Sequence, residues 1–347
     1  MRSNSSLLFA LIMLAAPLCA QPDTRELTFL NWADYIDPEI IETFHQSTGT
    51  AVKQIHFDSN TTRDQLLLET DGKGFDLVVV NGAALRILAK RGWLEPINQG
   101  DIPNLRHIEP RWRSEFEGAE RYCAPYFWGT VGIAYRSDLI PVVVTSWMDL
   151  FRPHESLRGK LGMVEDAGDL IGAALKALGY SLNSTDKKEL KAAEALLLEQ
   201  KPHVKTYRYV SLDERSALVT GEVAMSMMYS GDAMMVKQYN EDIVYVLPEE
   251  GGNVWVDYLC VLSKSTNKSA AKQFIDFLNE PQVAAQLAQY VYYATPNSTA
   301  QGLLPPEYLN DPVIFPRGLA MQNSEPYRPL PPRTLKRRSA IFSRIVN

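Results

Sequence analysis

The chain has 347 residues, 46% of them hydrophobic and 22% charged, with a formal net charge of -6 at pH 7. That length buries one large core or two lobes of ordinary domain size. With Lys336-Arg337-Arg338 as its one short basic tract, an acidic chain is a poor partner for nucleic acid or another polyanion and a better one for a cation.

The first twenty residues differ from the rest. Arg2, the apolar run from Leu7 to Ala16 and Pro17-Leu18-Cys19-Ala20 precede the polar Gln21-Pro22-Asp23, the pattern of a signal peptide cut after Ala20. The run is too short for a stable membrane span, and no later stretch reaches the roughly 18 apolar residues a span needs, so an exported, soluble protein in the periplasm is expected. Leu18 stands where lipid attachment at Cys19 requires a small residue. Cys123 and Cys260 then remain, and in an oxidising compartment two readings are open, a disulfide or two buried thiols.

Beyond the leader, Leu27 to Asn31 reads as a strand, and Asp37-Pro38 opens a helix with Ile40, Ile41 and Phe44 on one face, closed by Gly49. A strand over Val52 to Phe57, a helix over Thr62 to Glu69, the continuous apolar run Phe75 to Val80 and a helix over Ala83 to Arg91 complete an open α/β sheet. Ligands of such sheets bind beyond the carboxyl ends of the strands, where Trp32, Tyr35 and Asn81 fall. The β-rich stretch Ala124 to Tyr135 is read as a crossing into a second lobe. There the elements are a strand over Lys160 to Val164, a helix over Leu170 to Leu178, and a helix to Glu199 capped by Ser184 or Thr185. Strands over Val204 to Val210 and Val223 to Tyr229 follow, the second preceded by a short helix over 216–221. A helix over Ala233 to Tyr239 and a strand over Val244 to Leu247 lead to the return crossing. Helices over Ala270 to Leu278 and Gln282 to Tyr290 come next, then a Pro-rich tail expected to wrap the surface and end in a basic amphipathic helix.

Acids and aromatics recur at these strand ends. Trp255 and Asp257, two apart on the return strand, leave the same face, and a flat ring beside a carboxylate suits an organic cation. Asp166 and Asp169 sit at a strand-to-helix junction, where capping and ligand contact are both open. Tyr229-Ser230-Gly231-Asp232 repeats the pattern, with capping again an open reading for Asp232. The methionines at 225, 227, 228, 234 and 235 read as core. No nucleotide loop, His-based zinc motif or GxSxG elbow is present, so no cofactor or metal is expected; the paired Asp residues leave a glycosidase as the enzymatic alternative.

Together these residues resemble the bacterial periplasmic spermidine/putrescine-binding proteins, the soluble receptors of polyamine ABC importers. The likeness runs from about Leu27 to Tyr293. It is carried by Asn31-Trp32-Ala33-Asp34-Tyr35, Phe75-Asp76-Leu77-Val78-Val79, Pro125-Tyr126-Phe127-Trp128-Gly129, Glu250-Gly251-Gly252-Asn253-Val254-Trp255-Val256-Asp257 and Thr295-Pro296-Asn297. It implies a two-lobed periplasmic binding protein of type II, each lobe a mixed sheet flanked by helices, with crossing strands as hinge. The expected division is 21–131 with 257–300 for one lobe and 132–256 with 301–347 for the other. The implied ligand set is Trp32, Asp34 and Tyr35 with Asn81 on the first lobe, Asp166, Asp169, Tyr229 and Asp232 on the second, and Trp255, Asp257, Tyr293 and Gln322 besides. Asn81 and Ala83 replace the family's usual Ser and Tyr, and Tyr229 a usual Trp, which bears on ligand preference. The implied partner of the monomer is an inner-membrane ABC permease, or a membrane-bound signalling protein in a sensory branch.

Overall fold

The computed structural model describes residues 25–208 and 211–347; the leader read over 1–20, with Cys19 and the cut after Ala20, and the end of the strand expected over 204–210 lie outside the described residues. From the amino end, β1 (Arg25–Trp32), α1 (Pro38–Thr48), β2 (Thr50–Phe57), α2 (Asn60–Glu69), β3 (Leu77–Asn81) and α3 (Gly82–Lys90) follow the expected alternation. Local chemistry sets the boundaries. The Asp37 carboxylate accepts from the Glu39 N–H with Pro38 in the first turn, and Gly49 leaves α1 at φ 70, a left-handed conformation that glycine adopts without penalty. Ser59 and Asn81 cap α2 and α3 in the same way.

The long β4 (Cys123–Arg136) comes next, buried throughout. It is followed by β5 (Leu161–Gly162), α4 (Ala167–Ala177), α5 (Lys187–Gln200), β6 (Val204–Thr206), β7 (Met225–Tyr229), α6 (Ser230–Lys237), β8 (Ile243–Val246) and β9 (Val254–Val261). Then come α7 (Lys268–Leu278), α8 (Pro281–Val291), α9 (Gly318–Asn323) and α10 (Pro332–Val346). The cap of α5 is Asp186, whose carboxylate accepts from the Lys188 and Glu189 N–H groups, and not Ser184 or Thr185; the Ser184 hydroxyl bonds the Glu189 side chain instead. One-turn helices over Pro103–His107 and Trp147–Phe151 have no counterpart in the sequence reading.

Among the described residues the strands lie in the order β2-β1-β3-β9-β4-β7-β5-β6, with β8 also on β4. β1 runs parallel to β2 and β3, while β9 is antiparallel to both β3 and β4. β4 pairs with β9 over Cys123 to Thr130 and with β7 and β8 over Val131 to Arg136, so one strand serves two parts of the sheet. The cores divide at the same place. One cluster takes residues between Leu27 and Trp128 and between Val254 and Ile314; a second takes residues from Val131 to Met227 with Ile341 and Ile345 of α10. Cys123 and Cys260, opposite each other on β4 and β9, are joined in a disulfide, which closes the choice left open above.

The tail does more than wrap the surface. Leu304, Tyr308 and Ile314 are buried in the first cluster. Farther on, the chain pairs beside the start of β9, where the Val254 N–H donates to the Glu325 carbonyl at 3.1 Å and the Glu325 N–H to the Gly252 carbonyl at 3.0 Å. Gly251, at φ 80, permits this approach, because a Cβ there would lie 2.3 Å from the Asn323 carbonyl carbon.

Candidate functional site

β9 alternates, turning Val254 and Val256 to the core and Trp255 and Asp257 to the other face. Asp257 stands between Asn81 of β3 and Phe127 of β4, its direct neighbours across the sheet. Trp255 faces Gly129, where a Cβ would come within 2.6 Å of the indole; the missing side chain is what lets the ring lie there. The indole Nε1 is buried without a partner among the described residues.

Around these two residues the turns after β1, β7 and α8 converge. The Tyr35 ring lies edge-on to Phe127 at 5.4 Å and to Tyr293 at 5.9 Å, and Trp255 meets Tyr293 at 4.8 Å and Tyr229 at 6.1 Å. Between the rings stand three carboxylates, Asp169 and Asp232 buried and Asp257 half-buried, each answered by a tyrosine. Tyr35 donates to Asp257 Oδ2 at 3.2 Å, Tyr293 to Asp232 Oδ1 at 2.5 Å, and Tyr229 to Asp169 Oδ2 at 2.9 Å. Asp169 Oδ1 accepts two more bonds, from Tyr327 at 2.9 Å and Asn253 Nδ2 at 3.1 Å.

Burial is the chief influence on all three acids. It pushes the Asp169 carboxyl up to about 7, helped by the neighbouring Asp166 charge and opposed by the three donors. Asp232 is likewise pushed up to about 7 against the pull of Tyr293. Asp257 reaches about 6, because the Arg63 charge and the Tyr35 hydroxyl hold it down. Carboxylates desolvated in this way, beside ring faces, gain from any cation that supplies hydrogen bonds.

The sequence-predicted residues do not all gather here. Tyr35, Asn81, Asp169, Tyr229, Asp232, Trp255, Asp257 and Tyr293 do. Asp166 is the cap of α4, its Oδ1 accepting the Gly168 and Asp169 N–H groups at 2.8 and 3.0 Å, and it adds field to Asp169. Trp32 is half-buried at the edge, tilted on Phe57 at 4.3 Å. Asp34 is exposed, in a left-handed turn conformation at φ 54. Gln322 is exposed on α9; the side chain that the tail sends to the acids is Tyr327. Ala83 is exposed in the first turn of α3. Asn253, Arg63 and Tyr327 were missed. Asn253 lies in the motif that carries Trp255, which was the signal available for it.

Comparison with known proteins gives a consistent result. The profile of a family of bacterial extracellular solute-binding proteins matches residues 39–316. A spermidine/putrescine-binding periplasmic protein of Escherichia coli (strain K12) is 34% identical over 305 residues, covering 87% of this chain and 86% of its own. A norspermidine sensor of Vibrio cholerae serotype O1 is 33% identical over 309 residues, 88% of this chain and 85% of that one. Among solved structures, a putative spermidine/putrescine ABC transporter from Listeria monocytogenes superposes with a TM-score of 0.84 at 34% identity, covering 93% of this chain and 99% of that chain.

Proposed function

Because the chain belongs to the bacterial extracellular solute-binding proteins, we propose that it captures a linear polyamine in the periplasm and delivers it unchanged to an inner-membrane ABC permease. The observation that carries this reading is the set of three carboxylates, two buried and one half-buried, set among aromatic rings, each bonded to a tyrosine hydroxyl. A polyamine is a string of ammonium groups on methylene spacers. Each ammonium needs a carboxylate when it leaves water, and the spacers between them need apolar walls.

The two core clusters are the lobes in this reading, meeting where β4 and β9 pass between them. Tyr35, Asp257 and Tyr293 stand with the first and Asp169 with the second; Asp232 opens α6, whose Ala233 and Val236 pack in a smaller third cluster with Ala134 of β4 and Met228 of β7, and the Tyr293 to Asp232 bond joins this side to the first. A ligand contacting both sides favours their closure. The mature chain, cut after Ala20, works as a monomer. Calorimetry of that protein against putrescine, cadaverine, norspermidine and spermidine tests the reading. Losing one partner of a buried charge pair costs on the order of 2 to 5 kcal/mol, so Asp257→Ala is expected to weaken binding at least tenfold. Unchanged affinity in that variant removes Asp257 from the site.

A second reading is favoured by the relative named a norspermidine sensor: the bound form reports to a membrane signalling protein. Uptake of labelled polyamine by cells lacking this chain separates the two. Import predicts lost uptake; sensing predicts normal uptake.

A further inference from the structure

Polyamine capture leaves Arg63 unexplained. It lies on α2 and is only 1% exposed. Its Nη1 donates to Asn60 Oδ1 at 2.8 Å, and its Nε and Nη2 donate to Asp64 Oδ1 at 3.0 and 2.7 Å. The guanidinium carbon sits 5.7 Å from the Phe57 ring, the ring on which Trp32 packs. Asn60 Oδ1 also accepts from Asn81 Nδ2 at 3.3 Å, and Asn81 is directly opposite Asp257 across the β3 and β9 pair. Two asparagines thus lie between the buried cation and the Asp257 strand position. Asp64, the neutralising partner, is 46% exposed, so water screens its charge far more than that of Arg63. A positive field remains toward the interior, and it is felt at the Asp257 carboxyl.

The opposite end is restricted for a different reason. Both Asp169 oxygens are already engaged, by Tyr229 on one and by Tyr327 and Asn253 on the other. An ammonium bound there has to compete with three donors.

We infer that Arg63 is a specificity-determining residue that closes the Asp257 end of the site to a further ammonium, so that a linear diamine is held in preference to a triamine. The inference rests on the polyamine reading. Two ammonium groups meet Asp257 and Asp232. A third, placed beyond Asp257, faces a buried like charge, and placed beyond Asp232 it must break existing bonds at Asp169; both arrangements discriminate against the longer ligand by repulsion or lost partners.

The test is calorimetry of the mature protein with putrescine, cadaverine, norspermidine and spermidine, repeated on Arg63→Met, which keeps length without charge, and Arg63→Lys, which keeps charge. The wild type is expected to bind the diamines at least about tenfold more tightly than the triamines. In Arg63→Met the gain for triamines should exceed any gain for diamines by about tenfold, while Arg63→Lys keeps the wild-type order. Wild-type affinity for triamines equal to or above that for diamines overturns the inference even where a variant fails to fold. So does an Arg63→Met that shifts both classes equally. Binding of none of the four amines is a separate result, and it removes the polyamine reading itself.

Discussion

Three carboxylic acids with values of about 6 to 7 give the site a pH response whose sign can be worked out residue by residue. In an unfolded chain an Asp loses its proton near 3.9. From that point up to about pH 7 the unfolded chain gives up protons that the folded, ligand-free chain keeps. The stability these acids contribute is therefore full in acid and is lost as the pH rises through about 7. A bound cation reverses the preference, because it needs the ionised forms. Affinity for a diamine is expected to fall more than about tenfold between pH 8 and pH 5, at about tenfold per pH unit for each acid that must lose a proton. Calorimetry in two buffers of different ionisation heat should register the released protons. Asp232→Asn separates the two effects: it keeps an acceptor for the Tyr293 hydroxyl but carries no charge. At pH 8 it should raise the stability of the ligand-free protein by on the order of 1 to 3 kcal/mol and weaken ligand binding at least tenfold. Denaturant melts alongside the titration check both.

At the scale of elements, the disulfide between β4 and β9 links two strands that already pair, across a separation of 137 residues. Closing so long a loop restricts the unfolded chain, and replacing both cysteines by serine should cost about 2 to 4 kcal/mol by chemical denaturation, with no thiol of Cys123 or Cys260 detectable in the denatured, unreduced wild type. Much at this scale was legible in the sequence. Asp37-Pro38 and Gly49 mark both ends of α1, the run from Phe75 to Val80 marks β3, and the period-two spacing of Trp255 and Asp257 gives the face they share. Where several signals compete, the reading fails: Ser184, Thr185 and Asp186 are consecutive cap residues, and only the folded chain shows that Asp186 takes the role. The one-turn helices Pro103–His107 and Trp147–Phe151 are too short to show a full hydrophobic period. Arg63 sits in the polar run Asn60-Thr61-Thr62-Arg63-Asp64, which looks solvent-facing, and Tyr327 in a Pro-rich segment with no periodicity. Burial of both comes from long-range contacts that local pattern does not encode. Cys123 and Cys260 could be called neighbours only once the register of β4 on β9 was known.

For the molecule as a whole, the division of the core at β4 and β9 makes relative motion of the two clusters the expected response to ligand. Solution scattering should show a smaller radius of gyration with a saturating diamine than without; equal radii would mean that the two sides are already docked before ligand arrives. The tail links the same two bodies, packing on the first cluster as far as Met321 and joining the second through Ile341 and Ile345. The bond between Cys123 and Cys260 has a further consequence for a protein exposed to proteases. It ties the neck of the inserted stretch between the two cysteines, and that stretch includes the exposed Val142 and Val143, at 64% and 80% exposure. A peptide bond cut there leaves both fragments covalently held, so the nicked chain migrates as one band in denaturing gels without reductant and as two with it, and hydrolysis of a single surface loop does not release either half.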